Sequence, residues 1–204
     1  MKDEDELLEV ARRGVRLEAQ AVAGVEGQIA STLVEVARLI DAASGKVIVT
    51  GSGTSGTIGR RMAHLLSVSG TPAVYIHPMD ALHGTMGAVE PDDVVIALSK
   101  GGESDEINDL CRLLAGHGCA IVGIGEDPTS TLATIAQHYV LLHTIDDADP
   151  ENTLAMGSTL VTAVWGDALA RVLMSIHGWE VEQSLSIHPA GAVGKHAEGV
   201  MHHG

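Results

Sequence analysis

KVIVTGSGTSGTIGR, residues 46–60, passes from an apolar run through a glycine- and hydroxyl-rich turn into helix-forming sequence. The run Lys46–Thr50 is apolar at almost every position, as a parallel strand covered on both faces requires. The same texture recurs downstream. Strands are expected at Lys46–Thr50, Ala73–His77, Asp93–Leu98, Ala120–Ile124 and Tyr139–His143. Helices are expected around Ser55–Ser69, Glu103–Gly116 and Ser130–Ala136, with a long one from about Thr153 to His177. Strands alternating with helices specify an α/β protein, a three-layer, doubly wound parallel sheet with right-handed crossovers. No repeat and no linker interrupts residues 45–204, which read as one domain.

Upstream, residues 1–44 read as an N-terminal helical arm. Leu8, Val15, Val22, Ile29 and Val36 recur at heptad spacing, with Ala11, Val25 and Leu39 three positions later. That period is helical. Glu18 and Thr32 interrupt the second row, and Gly14, Gly24 and Gly27 weaken the helix, which favours two segments over one long coiled coil. Such an arm covers its own core or packs on a partner subunit.

Composition narrows the function classes. The 204 residues, 45% hydrophobic, suffice for a core. Aromatics are 2% with no Phe, so the core is aliphatic and nucleic-acid bases find few rings to stack on. Twelve Lys+Arg against 27 Asp+Glu give a net charge of −15, which repels phosphate backbones and anionic membranes. Neither nucleic acid nor a membrane is an expected partner. No charge-free apolar run of about 18 residues appears, so no spanning helix is expected. Met1–Glu9 lacks the basic-then-apolar order of a secretory signal. Cys111 and Cys119, not spaced as metal ligands, read as buried small hydrophobes in a reducing cytosol, and a cytoplasmic location is expected.

In open parallel sheets, ligands bind beyond the carboxyl ends of the strands. The first strand ends in Gly51–Thr57, and the second in His77-Pro78, leading to Asp80 and His83. The third ends in Ser99–Ser104, the fourth in Gly125-Glu126-Asp127, and the fifth leads to Asp146-Asp147. The first loop matches G-x-G-x-x-G and admits three readings: a phosphate cradle, a dinucleotide site or a tight turn. Ser52, Thr54, Ser55 and Thr57 at a helix amino end suit an anion, because the backbone N–H groups point outward there. A dinucleotide site wants an acidic residue closing the second strand, where His77-Pro78 stand instead. The Ser99–Ser104 loop repeats the hydroxyl-rich device on the neighbouring wall. Paired loops of this kind suit one compact phosphorylated metabolite better than a nucleotide oxidoreductase. No GxxxxGK[ST] is present. Glu106, in a first helical turn, has a plain alternative role on the helix dipole. Asp147 lies in an acidic run that by itself reads as solvated surface, and His196, His202 and His203 read as a frayed end rather than a metal site.

Four stretches, GSGTSGTIGR, SGTPAVYIHPMDALHGTMGAV, VVIALSKGGESDEI and SLSIHPAGAVG, resemble the sugar isomerase (SIS) domain, most closely that of arabinose 5-phosphate isomerases. The resemblance implies a flavodoxin-like, five-stranded parallel sheet, a sugar-phosphate ligand, no metal or cofactor, and a homotetramer with sites shared between subunits. It implies substrate and phosphate contacts at Gly53, Thr54, Ser55, Ser99, Lys100, Gly101, Glu103 and Ser104. Catalytic places are implied for His83, Glu106, Asp147 and His188. The implied reaction is aldose–ketose isomerisation through an enediol. It needs a base at carbon, an acid–base group for ring opening, and donors for the developing oxyanion. Glu106 or His188 would take the proton, and His83 would assist ring opening or polarise oxygen.

The chain departs from that family in several places. Thr54 stands where the family usually has Lys. Lys100-Gly101 replaces Asn-Ser in the second loop. Asp147 replaces a longer Glu. The sequence stops shortly after Lys195, where many relatives continue into a nucleotide-sensing (CBS) pair, so that regulation is expected to be absent. Lys100 could replace the missing cation beside the phosphate or point into water. A sugar-phosphate sensor without efficient turnover is the alternative to an enzyme.

Overall fold

The computed structural model describes residues 3–187. Five strands, β1 (Val47–Gly51), β2 (Ala73–Tyr75), β3 (Val94–Leu98), β4 (Ala120–Gly125) and β5 (His138–Leu141), form one all-parallel sheet in the order β2-β1-β3-β4-β5. Alternate side chains feed two core clusters. Val47, Val49, Val94, Ile96, Leu98, Val122 and Ile124 enter one, Ile48, Val95, Ala97 and Ile121 the other, each at most 2% exposed. Each large aliphatic side chain so buried contributes on the order of 2 kcal/mol by leaving water.

Helices α2 (Ser31–Ala42), α3 (Gly53–Val68) and α7 (Gly157–His177) close the first cluster with Leu33, Val36, Met62, Leu66, Trp165 and Leu169. The second is closed by α4 (Pro78–Leu82), α5 (Asp105–His117) and α6 (Thr131–Ile135) through Ala81, Ile107, Leu110, Leu114 and Leu132. This is the expected three-layer architecture. The 21-residue α7 is long and apolar enough, by length and composition alone, to cross a bilayer. Here it lies across the sheet, with Val161, Trp165, Leu169 and Leu173 at most 1% exposed and Asp167 paired to Arg61.

The amino-terminal region is two helices joined by a short 3-10 turn. α1 (Glu4–Ala23) opens with a capping box in which the Asp3 carboxylate accepts the Glu6 N–H. The α2 helix is laid into the core, whereas α1 buries only Ala21 and leaves Leu7, Leu8, Val10 and Val15 exposed. What stands off the domain is therefore α1.

The edge strands β2 and β5 are shorter than their apolar runs, because the sheet covers them on one side only and Val74 and Leu141 are exposed. α7 begins four residues later than the composition suggests. Glu151 and Asn152 take left-handed backbone conformations (φ 53° and 52°), and the buried Asp149 carboxylate accepts the N–H groups of Met156 and Ser158. That loop geometry holds the chain off a helix until Gly157. A short α8 (Val181–Ser186) follows, fixed by the Trp179 indole donating to Ser184 and Ser184 donating to the Val68 carbonyl.

At the amino-terminal end of the sheet the polar groups consume one another. The Asp93 carboxylate, 1% exposed, accepts the Lys46 ammonium (2.7 Å) and the N–H groups of Lys46 and Glu90 (both 2.8 Å). Burial alone would raise the Asp93 carboxyl, but these donors outweigh it and hold it below the ordinary carboxylate range. Both cysteines are free and buried. Burial pushes the Cys111 thiol up to about 12, and the Cys119 thiol, also raised by burial, donates to the Glu90 carbonyl.

Candidate functional site

The strand order reverses direction between β1 and β3, so the crevice beyond their carboxyl ends is the topological switch point. The two hydroxyl-rich loops border it. In one, β1 ends at Gly51 and the chain enters α3 through Gly53 at φ +55°, a left-handed conformation open to glycine. In the other, Gly102 at φ +69° faces Ser130 so closely that a Cβ would lie 2.2 Å from its Oγ. Of the two glycines in that turn, Gly102 carries the constraint, while the proposed contact residue Gly101 is exposed with open space around it.

Both helices facing the crevice start with serine, and neither serine caps its own helix. Ser52 precedes α3 and Ser104 precedes α5, and neither side chain bonds to a first-turn N–H. Elsewhere Asp3 and Ser130 do cap their helices. The first-turn N–H groups of an α-helix have no intrahelical partner, so these two amino ends present donors and positive partial charge to the crevice. The Ser99 hydroxyl reaches Ser104 Oγ at 3.4 Å, which places these two phosphate candidates side by side. Ser55 and Ser99 line one narrow cavity of about 20 Å³ with Glu126, Ser158, Thr159 and Thr162. It is polar and about one water in size.

Across the crevice, the Ser52 hydroxyl donates to Glu106 Oε1 at 2.6 Å. That bond, followed by Glu106's own backbone N–H and the nearby His77, outweighs burial and holds the Glu106 carboxyl below the ordinary range. At neutral pH it is a carboxylate able to accept a proton. Next to it, a cleft of about 360 Å³ is lined by Arg60, Tyr75, His77, Asp80, His83 and Thr85. Arg60 lies 4.4 Å over the Tyr75 ring, whose hydroxyl donates to the Gly51 carbonyl. Through His77, the cleft holding His83 is joined to the Glu106 side of the crevice.

Other proposed site residues are occupied differently. Lys100 neither points into water nor leaves its charge free. Its ammonium bonds Asp149 Oδ2 at 2.7 Å and Asn152 Oδ1, with Glu126 at 3.9 Å. Glu103 accepts from the N–H and hydroxyl of Thr131, both at 2.7 Å, and so fastens α6 to the loop. Those two donors hold its carboxyl below the ordinary range. Thr54 is exposed, and its carbonyl accepts the Thr57 hydroxyl. Asp147 is exposed, sits at φ 64° and pairs with Arg13 of α1 at 2.7 Å. His188, with the His196, His202 and His203 tail, lies outside the described residues. Asp149, Asn152, Ser158, Thr159 and Thr162 were not singled out by sequence reasoning, since their partners lie far along the chain. Ser52 had one signal, a hydroxyl at a helix start. No group of three or more metal-ligating side chains occurs among the described residues.

The SIS domain family matches residues 39–170 of the chain. Arabinose 5-phosphate isomerase KdsD of Pseudomonas aeruginosa is 37% identical over 198 residues, 95% of this chain and 61% of that protein. Arabinose 5-phosphate isomerase GutQ of Escherichia coli K12 is 34% identical over 197 residues, 97% of this chain and 61% of that protein. The chain thus spans 61% of the length of these relatives. Among solved structures, E. coli CFT073 c3406 in complex with arabinose 5-phosphate superposes with a TM-score of 0.87 at 28% identity, over 92% of this chain and 100% of that one.

Proposed function

The chain belongs to the SIS domain family, and we propose that it interconverts a phosphorylated aldose and its ketose, a pentose phosphate of the arabinose 5-phosphate kind, through an enediol. The observation that carries this reading is an ionised Glu106 at the switch point, set between two helix amino ends whose serines leave the first-turn N–H groups open. The phosphate lies against Ser55, Ser99 and Ser104, with Gly53, Thr54 and Gly101 lending backbone. Bound there, the sugar chain extends toward the cleft that holds His83. Glu106 takes the proton from the carbon next to the carbonyl and returns it to the neighbouring carbon, while His83 serves the oxygens or ring opening. Asp147 and His188 complete the acid–base set. No metal or cofactor is invoked.

The exposed apolar side chains Leu7, Leu8, Val10 and Val15 of α1 support a homotetramer in which the arm packs on a neighbour. The two reduced, buried thiols support a cytosolic location.

One observation favours a second reading. With Thr54 in the first loop and Lys100 bound to Asp149 and Asn152, neither of these two positions offers the phosphate a free cation. A sensor that binds sugar phosphates without efficient turnover fits that arrangement. Exchange of the C2 proton of pentose and hexose phosphates in heavy water separates the two. Exchange with ketose formation supports the isomerase, and binding with neither supports the sensor.

A further inference from the structure

Ser52 stands where a helix-capping serine belongs, yet its side chain makes no bond to α3. Its hydroxyl instead crosses the crevice to a carboxylate 54 residues away, at 2.6 Å. The N-cap position favours serine because its oxygen satisfies a first-turn N–H. Ser130, at the start of α6, does this by accepting from Ala133. Ser52 gives up that role and acts as a donor, binding the first-turn Glu106 of α5 on the opposite wall.

We propose that Ser52 is the positioning residue of the Glu106 base: it fixes Oε1 by its hydrogen bond and leaves the second carboxylate oxygen as the one that exchanges the substrate proton. This rests on the isomerase reading and adds to it a residue outside the implied catalytic and substrate-binding positions. A free glutamate side chain turns about its last torsion and offers either oxygen, whereas a general base must sit within hydrogen-bond reach of one particular proton. Small misplacements of that kind are costly in rate. The bond also couples to the protonation cycle. A hydroxyl donating to a carboxylate favours the charged form. When Glu106 holds the substrate proton, that preference drives the proton on to the enediol. The proton leaves one carbon, rides on the free oxygen and is delivered to the adjacent carbon, and Glu106 returns to its ionised state.

The test compares the wild-type chain with Ser52→Ala and Ser52→Thr, using pentose phosphate turnover, its pH profile and a carbon-13 titration of the Glu106 carboxyl. In Ser52→Ala we expect kcat to fall on the order of tenfold or more with KM nearly constant, in line with the loss of a positioning contact. The acid limb of kcat/KM should move to higher pH and the Glu106 midpoint should rise. Ser52→Thr, which keeps the hydroxyl, should restore most of both. A Ser52→Ala chain with wild-type kcat and pH profile overturns the proposal, as does a change confined to KM. An unchanged Glu106 midpoint overturns it too. A wild-type chain that neither turns over nor exchanges any pentose or hexose phosphate defeats the isomerase reading, and with it Ser52's role in proton transfer. The carbon-13 midpoint then still reads the Ser52–Glu106 bond by itself.

Discussion

The two ends of the sheet use the same side chains to opposite effect. At the amino-terminal end, Asp93 draws in the Lys46 ammonium and two backbone N–H groups, and the cluster is closed on itself. At the carboxyl-terminal end, Glu106 takes one hydroxyl, and the serines at two helix starts leave the backbone N–H groups uncapped. A polar cluster whose bonds are internal holds a fold together. One whose donors remain open is ready for an anion. Burial does not separate the two, since Ser99 is buried at the open end as Asp93 is at the closed one. What separates them is whether the hydrogen-bonding capacity is used up.

Substitutions at each end should break this contrast in different observables. The largest effect belongs to Glu106→Gln, which should lower C2-proton exchange by ~10³-fold, about 4 kcal/mol of barrier, with the melting temperature unchanged. A comparable fall in stability would mean that the carboxylate is structural after all. Next comes Asp93→Ala, which strands the Lys46 side chain and should cost about 3 kcal/mol in urea unfolding while catalysis is preserved in the folded fraction. The sign with pH follows from the depressed Asp93 carboxyl. Its stabilisation is fully present above the unfolded value of about 4 and is lost as pH falls through the lower folded value. Asp93→Asn should flatten that acid-side loss of stability.

Lys100→Ala probes the region between these extremes. It leaves Asp149, whose side chain is 2% exposed, without its ammonium, and should cost about 2 kcal/mol of stability. Sugar-phosphate affinity, measured by calorimetry, should change less than twofold if the Lys100–Asp149 bond persists in the complex. A tenfold loss would show that the ammonium turns to the phosphate. Arg13→Ala should matter least, because both partners of the Arg13–Asp147 pair are about two-thirds exposed (65% and 68%). A change of ~0.3 kcal/mol or less in unfolding is expected.

The architecture was readable because buried parallel strands leave near-continuous β-branched runs, and Val47–Val49 and Val94–Leu98 are of that kind. The switch-point loops were readable from glycine and hydroxyl content alone. The remainder depended on pairing at a distance. That Lys100 meets Asp149 and Asn152, 49 and 52 residues on, is set by how residues 147–152 turn through three left-handed, non-glycine conformations, which local propensity does not encode. Glu103 reads as a pocket acid, yet its two oxygens fasten α6. For Asp147, the acidic run suggested solvated surface and the family position suggested catalysis. The structure shows it exposed beside α1. The arm was divided at residue 44 because heptad spacing runs through both segments, while the difference between an exposed α1 and a core-forming α2 appears only when α7 is laid beneath them.

Cys111 and Cys119 have a practical consequence. A protonated thiol packed beneath a helix is nearly inert to alkylating reagents, so in the native chain modification should wait until the second core layer parts. Time-resolved labelling of these two sulfurs would then report how often that layer opens, with no probe introduced, and whether occupancy of the crevice above it slows the opening.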